Sequence, residues 1–291
     1  MTVAGVVTED GDNLAPERPE IARQPNRRRV HAMPTNLRLS DADITLDDVG
    51  SGTPTLMLHG FPATRLLWHD VVPMLVEHGF RTIVPDLVGY GASMPRAGAR
   101  VDMASQARWM WQLVDALGVG RTVIVAHDVG SAAAQLMVAS SPDRVRGLVV
   151  LDGVYAAEWA MDAVESIRDW APSDAHRLFP VLARRLGKSE LMREMLEAYA
   201  GEAGGLRLIQ AARALDPNQT AQIGESLRTS RVPALVLWGR DDRYLGVESV
   251  ARPLADLLGA RLILLPGGHF TPVDCPREVS TAVREFAQAL T

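Results

Sequence analysis

The sequence predicts an α/β protein with a mainly parallel central sheet flanked by helices and a helical segment inserted between two strands. Three observations carry this. Six short apolar runs rich in β-branched residues alternate with longer stretches of helical periodicity, as in a sheet covered by helices. Within the runs nearly every position is apolar rather than every second one, as expected of strands buried on both faces. The alternation breaks once, between about residues 154 and 226, where no strand is read and the chain turns to charged, Met- and Leu-rich helix.

Taken in order, residues 1–36 mix Pro, Asp and Glu with the basic cluster Arg27 to Arg29. They hold too little apolar surface to offset their ordering entropy, so a disordered arm is expected. Strands are expected at 55–58, 81–85, 122–126, 147–151, 234–238 and 261–265, each bounded by turn residues. Helices are expected at 104–117, 131–140, 249–258 and 277–289, with 188–200 as an example inside the insert. The organisation is therefore a core in two parts, 37–153 and 227–291, with 154–226 as a helical cap over one edge of the sheet.

The chain has 291 residues, 47% of them apolar, enough for one large core. Thirty Lys plus Arg against thirty-five Asp plus Glu give a net charge of −5. That is the wrong sign for a protein that binds nucleic acid phosphates or an anionic membrane. The single cysteine, Cys275, allows no internal disulfide and leaves no Cys/His zinc spacing. No apolar run reaches the roughly eighteen to twenty residues that span a bilayer, and the start lacks a secretory pattern. A cytoplasmic protein is expected.

The sharpest local signal is Val125-Ala126-His127-Asp128-Val129-Gly130-Ser131. A strand ends in a turn flanked by small residues and runs straight into an Ala-rich helix. Small neighbours two before and two after are what a sharp strand-to-helix turn needs when its central residue is held in a strained conformation. A helix N-cap would explain Asp128 alone, but further groups follow in order. His59-Gly60-Phe61-Pro62 ends one strand and Asp86-Leu87-Val88-Gly89-Tyr90-Gly91-Ala92-Ser93 follows another. Trp238-Gly239-Arg240-Asp241-Asp242 and Pro266-Gly267-Gly268-His269-Phe270 close the last two. All stand at strand C-termini, where open α/β sheets bind ligands.

On these motifs the chain resembles the α/β-hydrolase superfamily over about residues 37 to 291, and within it the branch with aspartate nucleophiles: epoxide hydrolases, haloalkane dehalogenases and fluoroacetate dehalogenases. The resemblance implies the α/β-hydrolase fold, with Asp128 as nucleophile, His269 as general base and an orienting acid. Asp242 matches the common spacing three residues after Gly239 and is favoured. Asp152, at the end of the preceding strand, is the alternative position. The backbone amides of Phe61 and Val129 would form the oxyanion hole. An aspartate is ionised at neutral pH and needs no base to attack. On a saturated carbon it forms an ester that activated water can hydrolyse, whereas attack on an ordinary ester would give an anhydride.

The leaving group is less marked. Relatives of the three kinds place tryptophan or arginine after the nucleophile, and here the residue is Val129, with Ala132 at the second arginine position. Fluoroacetate is therefore not the expected substrate. Epoxide hydrolases take their ring-opening acid from cap tyrosines; the cap offers Tyr155 and Tyr199, and His176 by spacing. Trp159 and Trp170 are candidates to line an apolar pocket or offer an N–H to halide, though the tyrosines and tryptophans also have plain packing roles and His176 also reads as a surface or helix residue. Epoxide opening on a small apolar molecule is expected, without cofactor or metal and by a protein able to form a homodimer, with carbon–halogen hydrolysis as the alternative. A small-molecule receptor or a lyase or isomerase on the same scaffold would be a third reading. His59 and His127, beside the site turns, are expected to give hydrogen-bonded support.

Overall fold

A computed structural model describes residues 34–290. Most of the arm expected over 1–36 lies outside the described residues, and the boundary at 36 falls within a strand. Nine strands are present among the described residues: β1 (Thr35–Arg38), β2 (Ala42–Gly50), β3 (Thr53–Leu58), β4 (Phe80–Pro85), β5 (Met94–Pro95), β6 (Thr122–His127), β7 (Val145–Leu151), β8 (Ala234–Gly239) and β9 (Arg261–Leu265). They form one sheet in the order β1-β2-β4-β3-β6-β7-β8-β9, with β5 paired to β2. All pairings from β4 through β9 are parallel, and those of β1, β2 and β5 antiparallel.

The six expected strands are present, each within two residues of its predicted bounds. The antiparallel β1 and β2 were not read from the sequence. β2 carries Asp43, Asp47 and Asp48 among its apolar residues, which masks it as a strand. Those charges are answered laterally: Arg81 of β4 binds Asp48 with two hydrogen bonds, and Arg65 reaches Asp47 at 3.2 Å.

The helices of the first half are α1 (Val72–Val76), α2 (Met103–Ala116) and α3 (Gly130–Ser140). Asp102 starts α2 by accepting from the Ser105 N–H at 2.9 Å, satisfying one of the free donors of its first turn. After β7 come α4 (Met161–Arg168), α5 (Leu178–Leu186), α6 (Glu190–Glu197), α7 (Gly201–Ala214), α8 (Asn218–Ala221) and α9 (Gly224–Ser230). The chain then returns through β8, α10 (Arg252–Leu258), β9, α11 (Thr271–Asp274) and α12 (Pro276–Gln288). The helix expected at 249–258 starts as a π-turn, Val247–Ala251, before α10.

Two apolar cores lie against the sheet. One includes Ile44, Leu58, Ile124, Val150 and Trp238 with α2 and α3; the other includes Met57, Val125, Val149 and Leu237 with α1 and α12. Alternate residues of β6 and β7 thus face opposite layers, which is why these strands read as continuously apolar. The insert is tied at both ends by one contact: Trp159 Nε1 donates to the Thr220 hydroxyl at 2.9 Å. No helix among the described residues is long and apolar enough to cross a membrane.

Candidate active site

Parallel register sets the strand ends side by side. The Asp128 N–H continues the ladder to the Leu151 carbonyl at 3.1 Å, and the Asp152 N–H does the same to Leu237. Asp128 adopts φ +50°, a left-handed backbone that costs a non-glycine residue of order 1–3 kcal/mol unless its surroundings enforce it. Here they do: its carbonyl accepts from the Ser131 N–H at 2.9 Å and the Ser131 hydroxyl at 2.6 Å. The elbow also leaves no space beneath it, because a Cβ on Gly130 would stand 2.2 Å from the His59 carbonyl oxygen.

The two oxygens of Asp128 have different surroundings. Oδ1 accepts from the Phe61 N–H at 2.7 Å. Oδ2 faces His269 Nε2 at 3.5 Å, and His269 Nδ1 lies 2.9 Å from Asp242 Oδ2. Asp128, His269 and the Asp242 side chain are all buried. Asp242 is fixed in turn by the Tyr244 and Leu245 N–H groups, which donate to its Oδ1 at 2.8 and 3.1 Å. The three side chains form one line at the C-terminal edge of the sheet, with a hydrogen bond between His269 and Asp242 and an ion-pair contact between His269 and Asp128.

Electrostatics sharpens the arrangement. Burial by itself would raise the Asp128 pKa, but the hydrogen bond and charge of His269, helped by the Val129 backbone N–H, hold it below the ordinary carboxylate value. Burial would likewise depress His269, yet Asp128 and Asp242 outweigh it and leave the imidazole well above its ordinary value. Both shifts favour a carboxylate beside an imidazolium.

Asp152 stands elsewhere in this geometry. Its Oδ1 accepts from the Gly239 N–H at 2.6 Å, and Oδ2 accepts from the Thr271 hydroxyl. No hydrogen bond joins it to His269. Burial pushes its pKa up to about 8, so it is protonated through most of the neutral range. Asp152 therefore braces the ends of β8 and α11, and the acid that meets His269 Nδ1 is Asp242.

A crevice with about 670 Å³ of empty space, its mouth included, opens above Asp128. The core contributes Phe61, Pro62, Val129, His269 and Phe270; the insert contributes Trp159, Met161, Val164, Ile167, Leu182 and Leu186 among others. Of the five insert side chains singled out from sequence, only Trp159 lines it. Trp159 spends its indole N–H on the Thr220 hydroxyl and, at 3.2 Å, the Ala156 carbonyl, so it offers apolar surface and no donor. Tyr199 is fully buried and donates to the Ala63 carbonyl at 2.9 Å, anchoring the insert beside the Phe61 turn. Tyr155 sits half-buried in a bridge with Glu158. His176 is exposed, with Nδ1 3.1 Å from the Ser173 carbonyl, and Trp170 packs against the core. Helical spacing gave the periodicity of these residues but not the direction in which the insert docks.

Two polar lining residues, Tyr244 and Arg185, went unread in the sequence. Tyr244 follows Asp242 by two, and the turn in which the Asp242 carboxylate binds the Tyr244 N–H brings the phenol to the crevice. Its ring meets His269 edge-on, centroids 5.1 Å apart. Arg185, at the end of α5, lines the same space; the Asp followed by a turn was a readable signal for Tyr244, and none pointed to Arg185. Among the described residues no group of three or more His, Cys, Asp or Glu is arranged to hold a metal ion. Cys275 is buried against the Thr271 carbonyl, and burial lifts its thiol pKa to about 12.

An open, mainly parallel sheet with this elbow and this histidine loop defines an α/β hydrolase. The chain belongs to the alpha/beta hydrolase fold family, whose sequence model matches residues 53–275. It is 27% identical over 265 residues to a 2-hydroxy-6-oxo-2,4-heptadienoate hydrolase of Pseudomonas putida, covering 85% of this chain and 93% of the relative. Over 257 residues it is 27% identical to haloalkane dehalogenase 2 of Mycobacterium tuberculosis, covering 82% and 89%. Among solved structures it is similar to a thermophilic esterase from Thermogutta terrifontis, with a TM-score of 0.71 at 25% identity, covering 89% of this chain and 99% of the other.

Proposed function

We propose that this hydrolase opens epoxides of apolar organic molecules through an ester formed on Asp128. The observation that carries the reading is the unequal setting of the two Asp128 oxygens: Oδ1 rests on the Phe61 N–H, and Oδ2 faces His269. Oδ2 attacks an epoxide carbon, the ring C–O bond breaks, and its electron pair leaves on the epoxide oxygen. The Tyr244 hydroxyl, at the crevice mouth and 42% exposed, supplies the proton. Esterification removes one of the two negative charges that keep His269 protonated, and the imidazolium releases a proton to solvent, equal to the one Tyr244 takes back.

Neutral His269 then accepts a proton from water as the water oxygen bonds to the Asp128 carboxyl carbon. Negative charge develops on Oδ1, where the Phe61 and Val129 amides receive it, an effect worth about 3–4 kcal/mol per donor in other enzymes. Collapse breaks the bond from the carboxyl carbon to Oδ2, and the departing alkoxide takes the proton from His269. The second proton of the water then passes from the new carboxyl group to His269, which restores the starting carboxylate and imidazolium, and the product is a diol.

A second reading is carbon–halogen hydrolysis by the same ester. Arg185 favours it: this crevice cation has no ion pair among the described residues and can hold a departing halide. The test is mass spectrometry of the His269→Gln variant after incubation with styrene oxide or with bromoalkanes. An adduct on the Asp128 peptide is expected, absent in Asp128→Asn, together with diol release by the unmodified enzyme. No adduct from either substrate class rejects the ester; an adduct and product from bromoalkanes alone reject the epoxide.

A further inference from the structure

We propose that His127, the residue preceding Asp128, is a positioning residue for His269 and serves the hydrolysis of the ester rather than its formation; the kinetic part of this rests on the roles given above to Asp128 and His269. His127 is the last residue of β6 and fully buried. Its Nε2 lies 2.7 Å from the backbone carbonyl oxygen of His269. A carbonyl only accepts, so Nε2 carries the proton and Nδ1 the lone pair. Nδ1 is buried and has no hydrogen-bond partner.

This geometry holds His127 in one tautomer. A second proton, on Nδ1, would find no acceptor. The resulting cation would lie beside the His269 ring, whose centroid is 5.0 Å away, and the Phe270 ring, at 5.7 Å. The charged groups around it pull in opposite directions: burial and His269 oppose the proton, Asp128 and Asp242 attract it, and the balance sets the pKa down to about 4. His127 therefore remains a neutral donor through the range in which His269 changes charge.

His269 needs such a support because it lies on the loop between β9 and α11, outside any regular element. The loop has other anchors: the Asp241 N–H donates to the Gly267 carbonyl at 2.9 Å, and the Gly268 N–H to Asp274 Oδ2 at 2.8 Å. Only the His127 bond grips the backbone of His269 itself among these. Asp128 is already ionised and attacks without help from the imidazole, whereas water must be placed by it. Loosening the His269 backbone therefore bears on the second half-reaction.

The experiment compares His127→Phe, which keeps a ring and removes the donor, with His127→Gln, which returns an N–H. Styrene oxide is the probe, and rapid-quench mass spectrometry of the Asp128 peptide follows the ester. The Phe variant is expected to form the adduct at the unmodified rate and to hydrolyse it roughly ten- to hundredfold more slowly, the scale of a misplaced catalytic group. The Gln variant is expected to recover most of that loss. Without any substrate, the downfield proton resonance of the His269–Asp242 bond should shift in the Phe variant and return in the Gln variant. Equal slowing of both half-reactions, no rescue by Gln, or an unmoved resonance overturns the proposal. If no ester ever forms on Asp128, the proposed reaction fails while the resonance still decides the positioning role.

Discussion

Gly60 and Asp128 compete for the same space: a Cβ at position 60 would lie 2.3 Å from Asp128 Oδ1 and 2.4 Å from Asp128 Cβ. The approach that makes the Phe61 N–H available to the carboxylate is thus possible only with glycine before it. Gly60→Ala should displace the Asp128 side chain and lower turnover by about a hundredfold, the scale of a 1 Å misplacement. Thermal unfolding should shift little, because the displaced group is a side chain at a crevice. Full activity in this variant would show that the Oδ1 contact is dispensable.

Asp242 and Asp152 should separate on substitution. Asp242→Asn removes the charge facing His269 Nδ1 and should cut turnover by more than about a hundredfold, in keeping with losses of orienting carboxylates in other hydrolases. Asp152→Asn replaces a group already uncharged below about pH 8 and should retain most activity at pH 7. Parallel kinetics of the two variants check this; equal losses would return Asp152 to the orienting role.

Asp128→Asn imitates the esterified state of the proposed reaction, since it is neutral and similar in shape. It removes one of the two anions that raise the His269 pKa, so the imidazole should titrate at lower pH than in the unmodified protein. Nuclear magnetic resonance titration of His269 in both proteins measures the shift. An unchanged midpoint would mean that Asp242 alone sets the charge of His269, and the switch from acid to base would lose its cause.

Burial of Asp152 links stability to pH. Its folded pKa of about 8 exceeds the ordinary carboxylate value near 3.8, so the folded protein binds the extra proton. This contribution is complete below about pH 4 and is lost as pH rises toward 8. Asp152→Asn removes the dependence, so its stability relative to the unmodified protein should improve between pH 5 and pH 8. Urea unfolding at the two pH values tests the sign.

The strands and the elbow were legible because their signals are local. A run such as Thr122 to Ala126 must be apolar on both faces whatever the rest of the chain does, and the Asp128 turn needs small neighbours in its own sequence. Asp242 was legible from its spacing after Gly239. The crevice wall was not, since Tyr155, Tyr199 and Trp170 differ from Trp159 only in how the insert seats itself. Tyr199 turns inward to the Ala63 carbonyl, a partner 136 residues away that no periodicity encodes. β2 escaped notice because its acids are matched by arginines on β4 and beyond.

The Phe61 N–H makes the two Asp128 oxygens inequivalent, and on the proposed ester route that gives the enzyme an isotopic memory. If the carboxylate never rotates, each cycle in water enriched in oxygen-18 replaces only the oxygen facing His269, which leaves in the following product. The oxygen on Phe61 stays as it was when the chain was synthesised. However many cycles pass, the protein should carry one heavy atom at this residue and not two, so the mass of its peptide reads directly whether the carboxylate flips between turnovers.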